Sequence, residues 1–144
     1  MNKAKRLLRA EWKSTEMDFI LYIRDLDAAE SNTTARQLKE NWFAALDGNT
    51  NSEGILLLNI YELEALILAD ITTFNKIYST KINFGGDPMK KSQHKEYLKR
   101  KTRKNRRRYK ESDTPELFKQ MDINSLIKTC RYFSTFIKDL ITKL

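Results

Sequence analysis

Phe19-Ile20-Leu21-Tyr22-Ile23-Arg24-Asp25-Leu26-Asp27 is the stretch that decides the fold. Residues that are nearly all aromatic, β-branched or aliphatic run unbroken and then stop at Asp-Leu-Asp. Their composition and length predict a strand over residues 18–25. Side chains at i and i+2 of a strand share a face. Asp25 and Asp27 would therefore project together if the strand persists through Leu26. Two carboxylates at a strand end suit a hard divalent cation such as Mg²⁺ or Mn²⁺, which takes oxygen ligands. The same two residues would also serve simply to open a turn, where Asp is common.

A second apolar run, Ile55 to Ile60, is broken only by Asn59. Its length suits a strand buried on both faces, as in a parallel sheet. Between the runs, Ser31-Asn32-Thr33-Thr34 offers several N-caps, and Thr34 with Gln37 fits a capping box. The helix they open should reach about Leu46, with Leu38, Trp42, Ala45 and Leu46 toward the core, and Asp47-Gly48-Asn49 should end it. After Ile60, Tyr61-Glu62-Leu63-Glu64-Ala65-Leu66-Ile67-Leu68-Ala69 turns to strong helix formers, and Asp70 can cap a short helix from Thr72 to Tyr78. Strand, helix, strand, helix predicts an α/β unit with a right-handed crossover.

Ligands of open α/β sheets gather beyond the carboxyl ends of the strands. Glu62 and Glu64 follow the second strand as Asp25 and Asp27 follow the first. Four carboxylates brought together there would repel one another unless a cation lay among them. Either Glu alone would also be at home in the first turn of a helix. Glu62 is the better ligand because it lies nearest the strand end, with Glu64 behind it or buried.

Charge is concentrated elsewhere. Residues 89–110 hold twelve Lys/Arg and one acidic residue, whereas residues 1–88 hold ten against thirteen and residues 111–144 hold five of each. The segment Lys99, Arg100, Lys101, Arg103, Lys104, Arg106, Arg107, Arg108 and Lys110 therefore reads as a phosphate-binding stretch. Tyr97 or Tyr109 would stack on a base. The bland alternative is a solvated charged helix. With few apolar anchors beyond Tyr97, Leu98 and Tyr109, residues 93–110 should form an exposed helix, a mobile lid or a segment disordered when free.

Residues 3–14 read as a basic amphipathic helix with Leu7, Leu8 and Trp12 on one face. Gly85-Gly86-Asp87-Pro88 marks a loop, and Thr114-Pro115 a helix start. Leu126, Ile127, Cys130, Phe133, Ile137, Leu140 and Ile141 make a helical stripe, for core packing or for an oligomer seam that would make a homodimer.

One domain is expected, with an α/β core over 1–88, a basic segment over 89–112 and C-terminal helices over 113–144. A single Cys, no leader pattern and no apolar run long enough for a bilayer predict a cytoplasmic protein. There is no G-x-S-x-G, no P-loop and no Cys/His metal spacing, so nucleophilic catalysis has no support. His94 has no triad partner and reads as an ordinary surface residue.

The strand with Asp25-Leu26-Asp27, the strand with Tyr61-Glu62-Leu63-Glu64-Ala65-Leu66-Ile67-Leu68-Ala69-Asp70, the Lys-rich segment and Tyr109-Lys110-Glu111-Ser112-Asp113-Thr114-Pro115-Glu116 together resemble domain of unknown function 4276, over about residues 17–140. That family is similar to Toprim folds, the catalytic domain of topoisomerases, primases and several nucleases. The resemblance implies an α/β fold with a Toprim-like short parallel sheet flanked by helices and a helical C-terminal part. It implies Mg²⁺-dependent phosphodiester chemistry, with Asp25 and Asp27 matching the Toprim D-x-D and Glu62 a further acidic position. It also implies a bacterial defence or mobile-element setting, often beside an ATPase subunit. One departure stands out. Toprim domains begin with a strand ending in Glu, and nothing before Phe19 reads as that strand. Glu11 and Glu16 lie in or just after the basic helix. A shortened, catalytically degenerate nucleic-acid-binding or regulatory subunit is therefore the alternative to an active nuclease.

Overall fold

The computed structural model describes residues 2–144. Strands β1 (Ile20–Asp25) and β2 (Gly54–Asn59) pair in parallel, with Ile20 opposite Gly54 and Asp25 opposite Asn59. Eight α-helices of the described residues surround this two-stranded sheet, so the chain is α/β with a short parallel sheet and a helical C-terminal part. None of these helices is long and apolar enough to cross a membrane.

Helix α1 (Asn2–Ser14) buries none of its residues. Helix α2 (Thr33–Asp47) makes the crossover from β1 to β2. Its cap is Asn32, whose side chain accepts a hydrogen bond from Ala35 N at 3.0 Å. The expected capping box at Thr34 and Gln37 does not form. Asn caps at least as well as Thr, and starting the helix at Thr33 leaves Gln37 Nε2 to donate to Asn41 Oδ1. Leu38, expected in the core, is 65 % exposed. The inward stripe instead carries Ala35, Trp42, Phe43 and Leu46, and the Trp42 and Phe43 rings meet Tyr22 of β1 edge-on.

Strand β2 is the buried one. Ile55, Leu57, Leu58 and Asn59 are all inside, and helix α8 (Arg131–Ile141) lies against the strand. Helix α3 (Glu64–Ala69) is buried along its whole length. At its end Asp70 does the work expected of a cap: Oδ1 accepts from Thr73 N at 3.2 Å at the start of α4 (Ile71–Tyr78). Its Oδ2 accepts from Asp122 N at 2.8 Å, which ties the start of α7 (Ile123–Thr129) to the same point.

The segment 93–110 is not a free appendage. It forms α5 (His94–Thr102) and an irregular return to Tyr109. Leu98 and Tyr109 are buried in a second core with Phe74 and Tyr78 of α4 and with Leu117 of α6 (Thr114–Phe118). Phe118 and Met121 touch both cores and join them. In α6, Thr114 is not the cap. It occupies the first turn, and its hydroxyl pairs with Tyr109 OH at 3.1 Å.

The C-terminal stripe packs as core except for Ile141, which is 65 % exposed, and it is split where one helix was expected. Cys130 is extended between α7 and α8 (Arg131–Ile141). That break lets both helices lay Leu126, Cys130, Phe133 and Phe136 onto the leucines of β2. Burial pushes the Cys130 thiol up to about 11, so it is inert packing.

Candidate metal centre and nucleic-acid interface

Asp25 is the last residue of β1 and faces Asn59, the last residue of β2. Asn59 Nδ2 donates to Asp25 Oδ1 at 3.1 Å. Asn59 Oδ1 is buried without a partner. The strand does not persist through Leu26, whose N–H still reaches Asn59 O at 2.7 Å while its side chain enters the core. The chain then turns at Asp27, which has φ of 59°. Asp is one of the few residues that occupy this left-handed region readily. So Asp27 comes beside Asp25 by a turn and not by strand alternation. Both line an open cleft of about 300 Å³ with Ile23, Lys39, Asn59 and Leu63. Lys39 Nζ, reaching in from α2, sits 3.3 Å from Asp27 Oδ2.

Glu62 joins this edge from the other strand. Tyr61 is also left-handed, with φ of 66°, and this swings the chain out of β2. Glu62 Oε2 accepts a hydrogen bond from Lys95 N at 3.0 Å. Gln93, at the cap position of α5, supplies no side-chain bond, so Glu62 caps that helix from a distance. Burial, partly offset by the Asn59 hydrogen bond, raises the Asp25 carboxyl, and the charges of Asp27 and Glu62 push it further up. Glu64 goes elsewhere. It is buried, and its Oε1 lies 3.4 Å from Tyr109 OH.

The four carboxylates expected together are thus divided. Among the described residues, no group of three or more His, Cys, Asp or Glu is close enough to hold a metal ion by itself. What the edge offers is the pair Asp25 and Asp27, with Glu62 near enough to act on Asp25. All three are hard oxygen donors, which suits Mg²⁺, an ion that usually takes one or two carboxylates and completes its shell with water and substrate phosphate. The unpartnered Asn59 oxygen and the crowded charge on Asp25 make this end of the sheet polar and unsatisfied. The residues fit a Mg²⁺ held by Asp25 and Asp27, and they do not form a four-carboxylate cage.

The raised Asp25 carboxyl has a consequence for stability. A carboxyl raised in the folded state favours folding below its ordinary value of 3.8, and that contribution is lost as pH climbs through the raised value. At neutral pH the ionised Asp25 therefore weighs against folding. Asp25→Asn keeps an acceptor for Asn59 and removes the charge, so it should raise Tm at pH 7. The advantage should shrink to nothing below about pH 4. Melting curves of the two proteins at pH 7 and pH 4 measure this.

The basic segment is held on a rigid frame. Tyr109 N donates to Thr102 Oγ1 at 2.9 Å, and Asn105 Nδ2 donates to Tyr78 O at 2.6 Å. Tyr78 OH in turn donates to Asp113 Oδ2 at 2.7 Å. Residues 103–108 bulge outward between these ties. Not every cation is free. Lys99 Nζ is 2.7 Å from Glu111 Oε1, an ion pair that lifts the Lys99 ammonium and lowers the Glu111 carboxyl. Arg100 and Lys101 lie over the Tyr97 ring, and Arg107 lies over Tyr78 at 5.0 Å. Arg103, Lys104, Arg106, Arg108 and Lys110 are exposed and make no side-chain ion pair among the described residues. Tyr109 is buried and unavailable to a base, contrary to expectation, and Tyr97 is half-buried against Phe84.

His94 also departs from expectation. It is 1 % exposed, and its Nε2 donates to Pro88 O at 2.8 Å. Its Nδ1 is buried without a partner. Lys39 and Asn59 are residues of the cleft that the sequence did not single out. The one polar residue inside the run Ile55 to Ile60 was the available signal for Asn59. Lys39 had none.

The fold and this edge define an α/β protein with a carboxylate pair at the carboxyl end of a parallel strand, beside a docked basic helix. The chain belongs to the family described as Domain of unknown function (DUF4276), whose model matches residues 1–141. No curated protein and no solved structure matches it.

Proposed function

We propose that this protein is a Toprim-like, Mg²⁺-dependent phosphodiesterase that cleaves DNA or RNA. The observation that carries this reading is the joint at Glu62. Glu62 adds its charge to the burial that raises Asp25 and at the same time caps the basic helix through Lys95 N, so the acidic edge and the cationic helix meet at one place. Asp25 and Asp27 would hold the ion, and Glu62 would add to the negative field that draws it. When bound, Mg²⁺ supplies neutralisation of the scissile phosphate and activation of water. Lys39 offers a positive charge across the same cleft, and residues 103–110 bind the phosphate backbone. A bacterial defence or mobile-element role and an ATPase partner subunit belong to the same proposal.

A specific observation favours a second reading. Asp27 is already neutralised by Lys39, Glu62 is engaged with a helix terminus, and no third carboxylate closes on the pair. A catalytically degenerate nucleic-acid-binding subunit would look like this. Incubation with single- and double-stranded DNA and RNA in Mg²⁺ or Mn²⁺, with and without chelator, separates the two. Chelator-sensitive cleavage supports the nuclease, and salt-sensitive binding without cleavage supports the second reading.

Both readings need the basic bulge. Arg103→Ala/Lys104→Ala/Arg106→Ala removes three unpaired cations without touching the core. It should weaken nucleic-acid binding about 10- to 100-fold near 100 mM salt and lower the log–log salt slope by about 2–3. Fluorescence anisotropy over a salt series measures this, and an unchanged slope would place the phosphate contacts elsewhere.

A further inference from the structure

Asn59 is the one polar side chain of β2, and it is only half satisfied. Its neighbours Ile55, Leu56, Leu57, Leu58 and Ile60 are all aliphatic. Asn59 is 0 % exposed. Its Nδ2 donates to Asp25 Oδ1 at 3.1 Å, while its Oδ1 is buried with no partner. A buried amide oxygen without a donor costs stability, and such a group in a folded protein points to a missing ion, water or ligand. The register sets Asn59 opposite Asp25, on the sheet face that also carries Ile23 and Leu57. Asn59 and Asp25 both line the cleft shared with Asp27 and Lys39. The unsatisfied oxygen therefore belongs to a group at the wall of that cleft.

We propose, resting on the assignment of Mg²⁺ to Asp25 and Asp27 above, that Asn59 is a third protein ligand of the same ion, binding through Oδ1 after its amide turns over about the Cβ–Cγ bond. Turning over exchanges the two ends of a nearly symmetric group, so it needs no backbone movement. It sets Oδ1 where Nδ2 now lies, 3.1 Å from Asp25 Oδ1. Two oxygens so placed repel with nothing between them and bracket a cation well. An octahedral Mg²⁺ shell with bonds of about 2.0–2.1 Å holds adjacent oxygens about 2.9 Å apart. That is close to the spacing the two strand ends already provide. The exchange gives up the bond from Nδ2 to Asp25 and nothing at Oδ1, which has no bond to lose. Without the ion the amide donates to Asp25; with it the amide presents its oxygen. A neutral ligand also suits the crowding. Asp25 already lies in the field of Asp27 and Glu62, and a third carboxylate would add to that repulsion. Three protein oxygens then serve the ion, although among the described residues no third carboxylate closes on the pair.

Melting curves over a Mg²⁺ titration separate a ligand oxygen from a donor that merely holds Asp25. Asn59→Leu removes both functions and should weaken Mg²⁺ binding about 10- to 100-fold. Asn59→Asp tells them apart, because a carboxylate cannot donate to Asp25 but keeps an oxygen at the same reach. It should bind Mg²⁺ at least as tightly as wild type, from a lower starting Tm, since the two facing carboxylates repel until the ion arrives. Loss of the Mg²⁺ response in folded Asn59→Asp overturns the proposal. Wild type carries a second readout. The side-chain amide signal of Asn59 in nitrogen–proton NMR spectra, identified by its absence in Asn59→Leu, should move with Mg²⁺ along the same curve as the melt. A signal unmoved at saturating Mg²⁺ overturns the proposal whether or not the variants fold. A wild-type protein with no Mg²⁺-dependent rise removes the Asp25–Asp27 site and Asn59 with it. A wild-type rise that survives Asn59→Leu unchanged removes Asn59 alone.

Discussion

Gly54→Ala should destabilise the protein by about 3–4 kcal/mol, enough to lower Tm by roughly 10 °C. The reason is space and not backbone freedom. Gly54 opens β2 and pairs with Ile20. A Cβ added there would collide with Asp47 Oδ1 and stand 2.6 Å from Tyr22 Cε2 and 2.8 Å from Asp47 Cγ. Neither neighbour is free to retreat. Asp47 is buried at the end of α2, and its Oδ1 accepts from Gly54 N at 2.6 Å and from Thr50 Oγ1 at 3.1 Å. Tyr22 is wedged between the Trp42 and Phe43 rings, with centroids 6.0 and 5.2 Å away. One methyl group therefore attacks the carboxylate that closes the crossover and the tyrosine that seats α2 on β1. Urea and thermal unfolding measure the loss. A melt within 2 °C of wild type, a small fraction of that expected shift, would mean that the α2–β2 turn is loosely held.

The second large effect concerns the acidic edge. Asp25→Ala/Asp27→Ala should abolish Mg²⁺-dependent cleavage, by a factor on the order of 10³ or more, because both proposed ion-holding carboxylates go at once. The single variants should be unequal. Asp25 is part-buried at the strand end and fixed by Asn59, whereas the Asp27 side chain is 73 % exposed and held by an exposed ion pair of little energetic weight. Asp25→Ala should therefore come close to the double variant, with Asp27→Ala intermediate. Single-turnover cleavage rates give the comparison, and circular dichroism confirms that each variant is folded. Equal activity in the double variant and wild type would remove the edge from catalysis.

The strands were legible because Ile20–Asp25 and Gly54–Asn59 are apolar runs with sharp polar ends; their register, Ile20 opposite Gly54, comes from the structure. Asp25 was legible for the same reason. The position of Asp27 was read on the wrong grounds. The i, i+2 rule supposes a continuing strand, and a single residue with φ of 59° carries no pattern signal. Glu62 and Glu64 looked equivalent because both fall near the start of a helix. What separates them lies far off in sequence: Lys95 N for one and Tyr109 for the other. The basic segment hid its own anchoring. Amid so many charges, His94, Leu98, Thr102 and Tyr109 did not read as an inward face, yet all four are buried. Leu38 and Lys39 on α2 show the reverse failure. Spacing sends Leu38 inward, but the sheet is only two strands wide, so that face of α2 meets solvent and Lys39 can reach the cleft.

Metal binding by Asp25 and Asp27 is the step on which the nuclease reading rests, and thermal melting across a Mg²⁺ titration tests it without relying on activity. A ligand that binds the folded state at ten times its Kd adds about 1.4 kcal/mol. Wild type should therefore gain about 3–5 °C as Mg²⁺ rises toward saturation. Asp25→Asn should begin from a higher Tm and gain nothing. The same Mg²⁺-dependent rise in both proteins would contradict a metal centre at this edge.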